Sequence, residues 1–106
     1  MEKEILIYQV WLLGLDQDGT WTGYDFLIAD CNKDKSQADL VFSHLTTSNK
    51  KLSESIKEVN PEFTVPNEED IKEYCIQIEE VVCDEEENEE LETEVIADYT
   101  ISKEEL

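Results

Sequence analysis

Residues 71–83 read Ile-Lys-Glu-Tyr-Cys-Ile-Gln-Ile-Glu-Glu-Val-Val-Cys, and the fold turns on whether they form a helix or a strand. Ile71, Tyr74, Cys75, Ile78, Val81 and Val82 recur at the spacing of a helical stripe, whereas Tyr74, Ile76, Ile78 and Val82 keep the two-residue period of a strand. Two features favour the strand. β-Branched and aromatic side chains crowd Tyr74–Cys83, and these lose rotamer freedom in a helix but pack well on a pleated surface. Downstream, Glu94–Ser102 carries Val95, Ala97, Tyr99 and Ile101 at alternate positions, a second strand facing one side. The spacing therefore predicts a C-terminal hairpin. A short helical turn precedes it, capped by Asn67, with Glu68, Glu69 and Asp70 where a helix N-terminus favours acids.

The other end of the chain predicts a second hairpin. Residues 4–15, EILIYQVWLLGL, are apolar on both alternating faces, as in a central strand covered on both sides, or one with a face covered and a face turned to a partner. Asp16-Gln17-Asp18-Gly19 follows, and Asp-Gly is a strong two-residue turn signal. The chain returns through Thr20–Asp30, where Tyr24, Phe26 and Ile28 alternate with Asp25, Leu27 and Ala29. Between the hairpins, Asn32–Lys35 is turn-like. Ser36 precedes Asp39 at capping-box spacing, and Ala38, Leu40, Val41, Phe42 and Leu45 suit a helix. Leu52, Ile56 and Val59 continue a helical pattern that Asn60-Pro61 ends, with Ser48 or Asn49 as a candidate N-cap. This stretch is either one helix broken at Thr46-Thr47 or two short ones. Phe63–Pro66 reads as extended. The expected architecture is a single α+β domain over residues 1–106: a four-stranded antiparallel sheet of two β-hairpins, in the order β-β-α-β-β, with one or two helices on one face.

Charge is the second informative feature. The 106 residues carry 28 acids, eight lysines and no arginine, a net charge of −20. Residues 1–65 hold eleven acids against six lysines, and residues 66–106 hold seventeen against two, so the two parts carry −5 and −15. The excess peaks at Asp84, Glu85, Glu86, Glu87, Glu89, Glu90, Glu92 and Glu94, eight carboxylates in eleven residues, which the hairpin reading puts at a strand connection. Such self-repulsion disfavours a compact state. Without a guanidinium fork, and at this net charge, direct binding of nucleic acid or an anionic membrane is electrostatically uphill.

Chemistry-bearing constellations are sparse. Gly14, Gly19 and Gly23 are isolated around one hairpin, so no phosphate-cradling loop exists. Asp16-x-Asp18-Gly19 resembles a fragment of a calcium loop, but Thr20, Trp21 and Leu27 stand where the fifth, sixth and twelfth positions would need an acid or amide, a glycine and a glutamate. His44 is the lone histidine and has no cysteine at ligand spacing, so neither a metal nor a cofactor is expected. Adjacent Ser43 and His44 diverge on a helix, and exposed carboxylates lack a pocket to separate their pKa values, so no catalysis is expected. Cys31, Cys75 and Cys83, an odd number with no close pair, read as free thiols of a reducing cytoplasm. Met1-Glu2-Lys3-Glu4 lacks the basic start of a signal peptide, and Ile5–Leu15 is too short to span a bilayer; a cytoplasmic location follows as the expectation.

A charge run is ordinarily a solvated loop. The sharper alternative is mimicry of a nucleic-acid backbone. Eight charges over eleven extended residues give one per about 4.5 Å, against one phosphate per roughly 3.4 Å of a DNA strand. Glu68, Glu69, Asp70, Glu73, Glu79 and Glu80 would lengthen this stripe if they share its face. Trp21 and Tyr24, ringed by Asp16, Asp18 and Asp25, would add an aromatic anchor.

At class level, a length near one hundred, lysine as the only strong base and the Asp84–Glu94 run resemble the small acidic proteins that phages use against host defence, the anti-CRISPR inhibitors and anti-restriction DNA mimics. Tyr8-Gln9-Val10-Trp11 through Asp16-Gln17-Asp18-Gly19 to the Ser36 helix also resembles the opening of small phage proteins of unassigned function. The resemblance implies a non-enzymatic inhibitor that binds a basic, nucleic-acid-binding surface of a host nuclease. The alternatives are an immunity protein or antitoxin that neutralises a cationic toxin nuclease, and a structural adaptor subunit.

Overall fold

A computed structural model describes residues 4–84 and 90–106. Strands β1 (Glu4–Leu15) and β2 (Trp21–Asp30) are followed by helices α1 (Lys35–Thr47) and α2 (Leu52–Val59), strands β3 (Glu73–Asp84) and β4 (Glu90–Ser102), and a final 3-10 turn, Lys103–Glu105. The four strands make one antiparallel sheet in the order β2-β1-β3-β4. The fold is the expected α+β arrangement, and the helical segment is two helices.

Residues 73–84 form a strand because both their faces are buried. β1 pairs with β3 from Glu4↔Asp84 to Leu15↔Glu73 without a register shift, which makes these the two central strands. On one face Tyr8, Val10 and Leu12 of β1 join Tyr74, Ile76 and Ile78 of β3 in a core with Ala38, Val41 and Leu45 of α1 and Leu52 and Ile56 of α2. Cys75, Val81 and Cys83 are also buried but lie outside that core, on the opposite face. A helix would bury one stripe of this sequence and expose the rest, whereas a central strand covers both.

Several local expectations are corrected. The first turn is a three-residue loop: Gly19 N donates to Asp16 O at 3.0 Å, Asp16 N to Thr20 O at 2.8 Å, and Gly19 takes φ +79°. That is a type I turn closed by a left-handed glycine, so Asp-Gly serves a bulge instead of a two-residue turn. The cap of α1 is Asp34, whose Oδ1 accepts from Gln37 N at 3.0 Å, and Ser36 lies inside the helix. Leu40 is exposed and off the buried stripe. Lys51 precedes α2 without a side-chain cap, while Ser48 Oγ accepts from Lys50 N in the loop before it. Residues 67–71 form a turn at 69–70 and no helix. So few residues cannot repay helix nucleation, and Ile71 is instead drawn into the core.

Strand β4 begins four residues earlier than expected and carries two bulges, between the positions facing Ile78/Glu79 and Val82/Cys83. The first separates Val95, opposite Glu79, from Ala97, Tyr99 and Ile101, which oppose Ile78, Ile76 and Tyr74. These four residues therefore do not share one side. At the sheet's other end Gly14 admits a core side chain: a Cβ there would stand 2.7 Å from Ile71 Cδ1, and Ile71 is fully buried. The chain end closes the helical layer, with Leu106 buried and its carbonyl accepting from Ser53 N at 3.1 Å.

Candidate functional site

Charge is segregated by element. The four strands carry eleven carboxylates and no lysine. The seven described lysines, Lys33, Lys35, Lys50, Lys51, Lys57, Lys72 and Lys103, all lie in helices, turns and connections. Two ion pairs converge on Glu58 of α2, from Lys50 and from His44 Nε2 at 3.0 Å. Its carboxyl is held below the usual range, first by the hydrogen bond from Lys50. Base-to-acid compensation thus ties the helices together on the side of the molecule away from the open sheet face.

The acidic run divides around the C-terminal hairpin. Asp84 ends β3 and is 7% exposed; Glu90, Glu92 and Glu94 are exposed on β4. Glu85, Glu86, Glu87 and Glu89 lie outside the described residues. Glu94 stands opposite Glu80, and Glu92 opposite Val82, so these carboxylates share the helix-bearing side of the sheet, while Glu90, opposite Cys83, falls on the other. Same-face neighbours along a strand are about 6.6 Å apart, so the described run is sparser on any one face than its linear count implies. Glu80 also meets Tyr8, whose hydroxyl is pushed up by burial first and then by its hydrogen bond to Glu80.

The other sequence-predicted acids do not extend this stripe. Glu73 starts β3 and Glu68, Glu69 and Asp70 precede it, at the opposite end of a strand about 36 Å long. Glu69 and Asp70 line an open cavity of about 540 Å³ with Asp16, Gln17, Asp18, Thr22 and Lys72. Asp16 Oδ1 is already engaged there, accepting from Asp18 N at 2.8 Å and Thr20 N at 2.9 Å. No cluster of three or more metal-ligating side chains forms among the described residues. Cys31, Cys75 and Cys83 are free and buried, and burial pushes the Cys31 thiol up.

The aromatic pair is split. Trp21 is 55% exposed, opposite Leu15, and its Nε1 donates to Tyr24 O at 2.9 Å. Tyr24 turns to the core and packs edge-on against Tyr74, with ring centroids 6.4 Å apart. Burial pushes its hydroxyl up to about 12.

Sequence reasoning missed the residues on the face without helices. There Trp11 Nε1 donates to Gln9 Oε1 at 3.0 Å, and Gln77 Nε2 to Glu79 Oε1 at 2.8 Å. Gln9 pairs with Glu79 and Trp11 with Gln77, so the four side chains form one polar patch at the sheet's centre. Their signal was the apolar-on-both-faces pattern of residues 4–15, which left open what covers the second face. No protein-family model, curated protein or solved structure matches this chain. Among the described residues, no helix is long and apolar enough to cross a membrane.

Proposed function

We propose that this protein is a non-catalytic inhibitor that occupies a basic, nucleic-acid-binding surface of a defence nuclease. The observation that carries this reading is the segregation of charge: eleven carboxylates on the strands, with every described lysine elsewhere. An acidic sheet whose strands carry no lysine presents a one-signed field to a partner, which speeds encounter and rejects other polyanions. The β3–β4 hairpin is the contacting element, with Glu80, Glu92 and Glu94 on one side and Glu90 on the other. Glu68, Glu69 and Asp70 act at a distance, through steering.

Direct binding measurements on a purified guide-loaded CRISPR nuclease and a purified restriction endonuclease test the proposal. Affinity for the responsive enzyme should fall about tenfold or more between 50 and 300 mM NaCl, and similarly when Glu85, Glu86, Glu87, Glu89 and Glu90 are changed to Gln. The nuclease's own nucleic acid should compete with the protein for the site. Binding indifferent to salt and to the Gln block would overturn the reading.

A further inference from the structure

The two faces of the sheet differ in what covers them. One packs against α1 and α2. The other carries Ile7, Trp11 and Leu13 of β1 beside Val81 and Cys75 of β3, with Leu27 of β2 opposite Trp11 and Val95 of β4 opposite Glu79. Val81 is 2% exposed and forms the floor of this lane; Ile7, Trp11, Leu13 and Leu27 are half-buried, and Val95 is 45% exposed. None of the described helices lies over them.

Carboxylates border the lane on both edge strands. Asp25 opposes Leu13 and Asp30 opposes Gln9 on the β2 side; Asp98 opposes Gln77 and Glu90 opposes Cys83 on the β4 side. Glu79, in the middle of the lane, has its carboxyl pushed up by burial and also by Glu90 and Asp25, which places those two outer charges within electrostatic reach of the centre.

We infer that this open face docks an amphipathic helix of a partner protein, its apolar stripe on the β1–β3 lane and its flanking lysines or arginines against Asp25 and Asp30 on one side and Asp98 and Glu90 on the other. The dimensions match. β2 and β4 are three strand spacings apart, about 14 Å, and a helix with its side chains is about 10–12 Å across. A helix lying along the two central strands thus brings its flanks to the acidic borders. Gln9, Gln77 and Glu79 interrupt the apolar lane at its centre, so the stripe carries a polar or basic position where it crosses them. Charge selects this occupant over a second copy: face-to-face pairing would set the acidic borders of one molecule against those of another, with no lysine on any strand to offset them. The inference rests on the proposed function for the sign of the partner's charge, and it adds an apolar anchor that electrostatics alone does not require.

The probes are a short amphipathic leucine–lysine helix and an oligolysine of equal charge, titrated at about 150 mM NaCl. The helix should bind at least tenfold more tightly than the oligolysine, and in a Trp21→Phe background the emission of Trp11 should shift to the blue. Leu27→Asn and Val95→Asn should each erase most of that preference while leaving oligolysine binding and cooperative thermal unfolding unchanged. Val95 is exposed, so its variant separates docking from folding. Equal affinity for the two probes, or a preference that survives both substitutions, overturns the inference. So does a concentration-dependent dimer in sedimentation that Leu27→Asn dissociates. Changing Glu85, Glu86, Glu87 and Glu89 to Gln, with Glu90 kept, probes the other reading: oligolysine and nuclease binding that do not respond to this change sink charge mimicry and leave the helix preference standing.

Discussion

Glu79 shows how one residue records the conflict in this chain. It sits on the open sheet face between Gln9 and Val95, and burial is the largest influence raising its carboxyl pKa; the hydrogen bond from Gln77 opposes the shift, and Glu90 and Asp25 add to it. The folded state therefore holds this proton more tightly than the unfolded state. Ionisation of Glu79 costs stability that appears as pH rises from the ordinary glutamate value of 4.5 through the raised folded one, and the cost is absent below both. Glu79→Gln keeps an acceptor for Gln77 and removes the charge. It should be more stable than the parent at pH 7, by less than about 1 kcal/mol for a partly exposed charge. The gap should close as pH falls to about 4, which urea unfolding at a series of pH values will read.

At the scale of elements, the hairpins were legible and their details were not. The apolar run 4–15, the turn at Asp16–Gly19 and the alternation of Tyr24, Phe26 and Ile28 mark β1 and β2 directly, because period-two burial survives in the sequence. The helix–strand fork at residues 71–83 was resolvable through β-branching. The bulges of β4 were not: nothing local to Val95-Ile96-Ala97 announces the extra residue, whose place is set by register against β3. The cap of α1 shows the same limit. Ser36 and Asp34 are both good capping residues, and only backbone geometry selects Asp34, which is extended at φ −95°, ψ 91°. Asp34→Ala should therefore cost about 1 kcal/mol in denaturant unfolding, whereas Ser36→Ala should be near neutral. Equal costs would show that Ser36 shares the cap. Of the acidic run, the sequence shows the density of carboxylates, but not that Glu90, Glu92 and Glu94 belong to strand β4 and divide between its two faces.

Over the whole molecule, charge and shape act together. The chain extends 49 Å along its longest axis, and acids accumulate towards both ends of the sheet, at the Glu92–Glu94 end and around Asp16, Asp18, Glu69 and Asp70. Repulsion over such distances is felt at low salt, where the screening length is about 30 Å at 0.01 M, and is largely removed at 0.15 M, where it is about 8 Å. Thermal stability should rise over this range by about 1 kcal/mol, or roughly 4–8 °C in Tm, and then level off. A flat response in a salt series by calorimetry would show that the strand carboxylates are already compensated in the free protein. The same salt that stabilises the free chain should weaken its hold on a basic partner, so stability and affinity should move in opposite directions.

Composition and pattern determined the acidity, the poverty in basic groups, the two hairpins and the intervening helices, because each of these is written in residue type or in a short period along the chain. Tertiary structure alone decided that β1 and β3 lie side by side at the centre of the sheet, that both helices pack on one of its faces, and that Trp21 and Tyr24 part company. Those outcomes depend on pairing between segments far apart in the chain, from Leu15 with Glu73 to Glu4 with Asp84. A strand's alternation says which residues share a face; only its neighbours say whether that face is covered by a helix, by water, or by another protein.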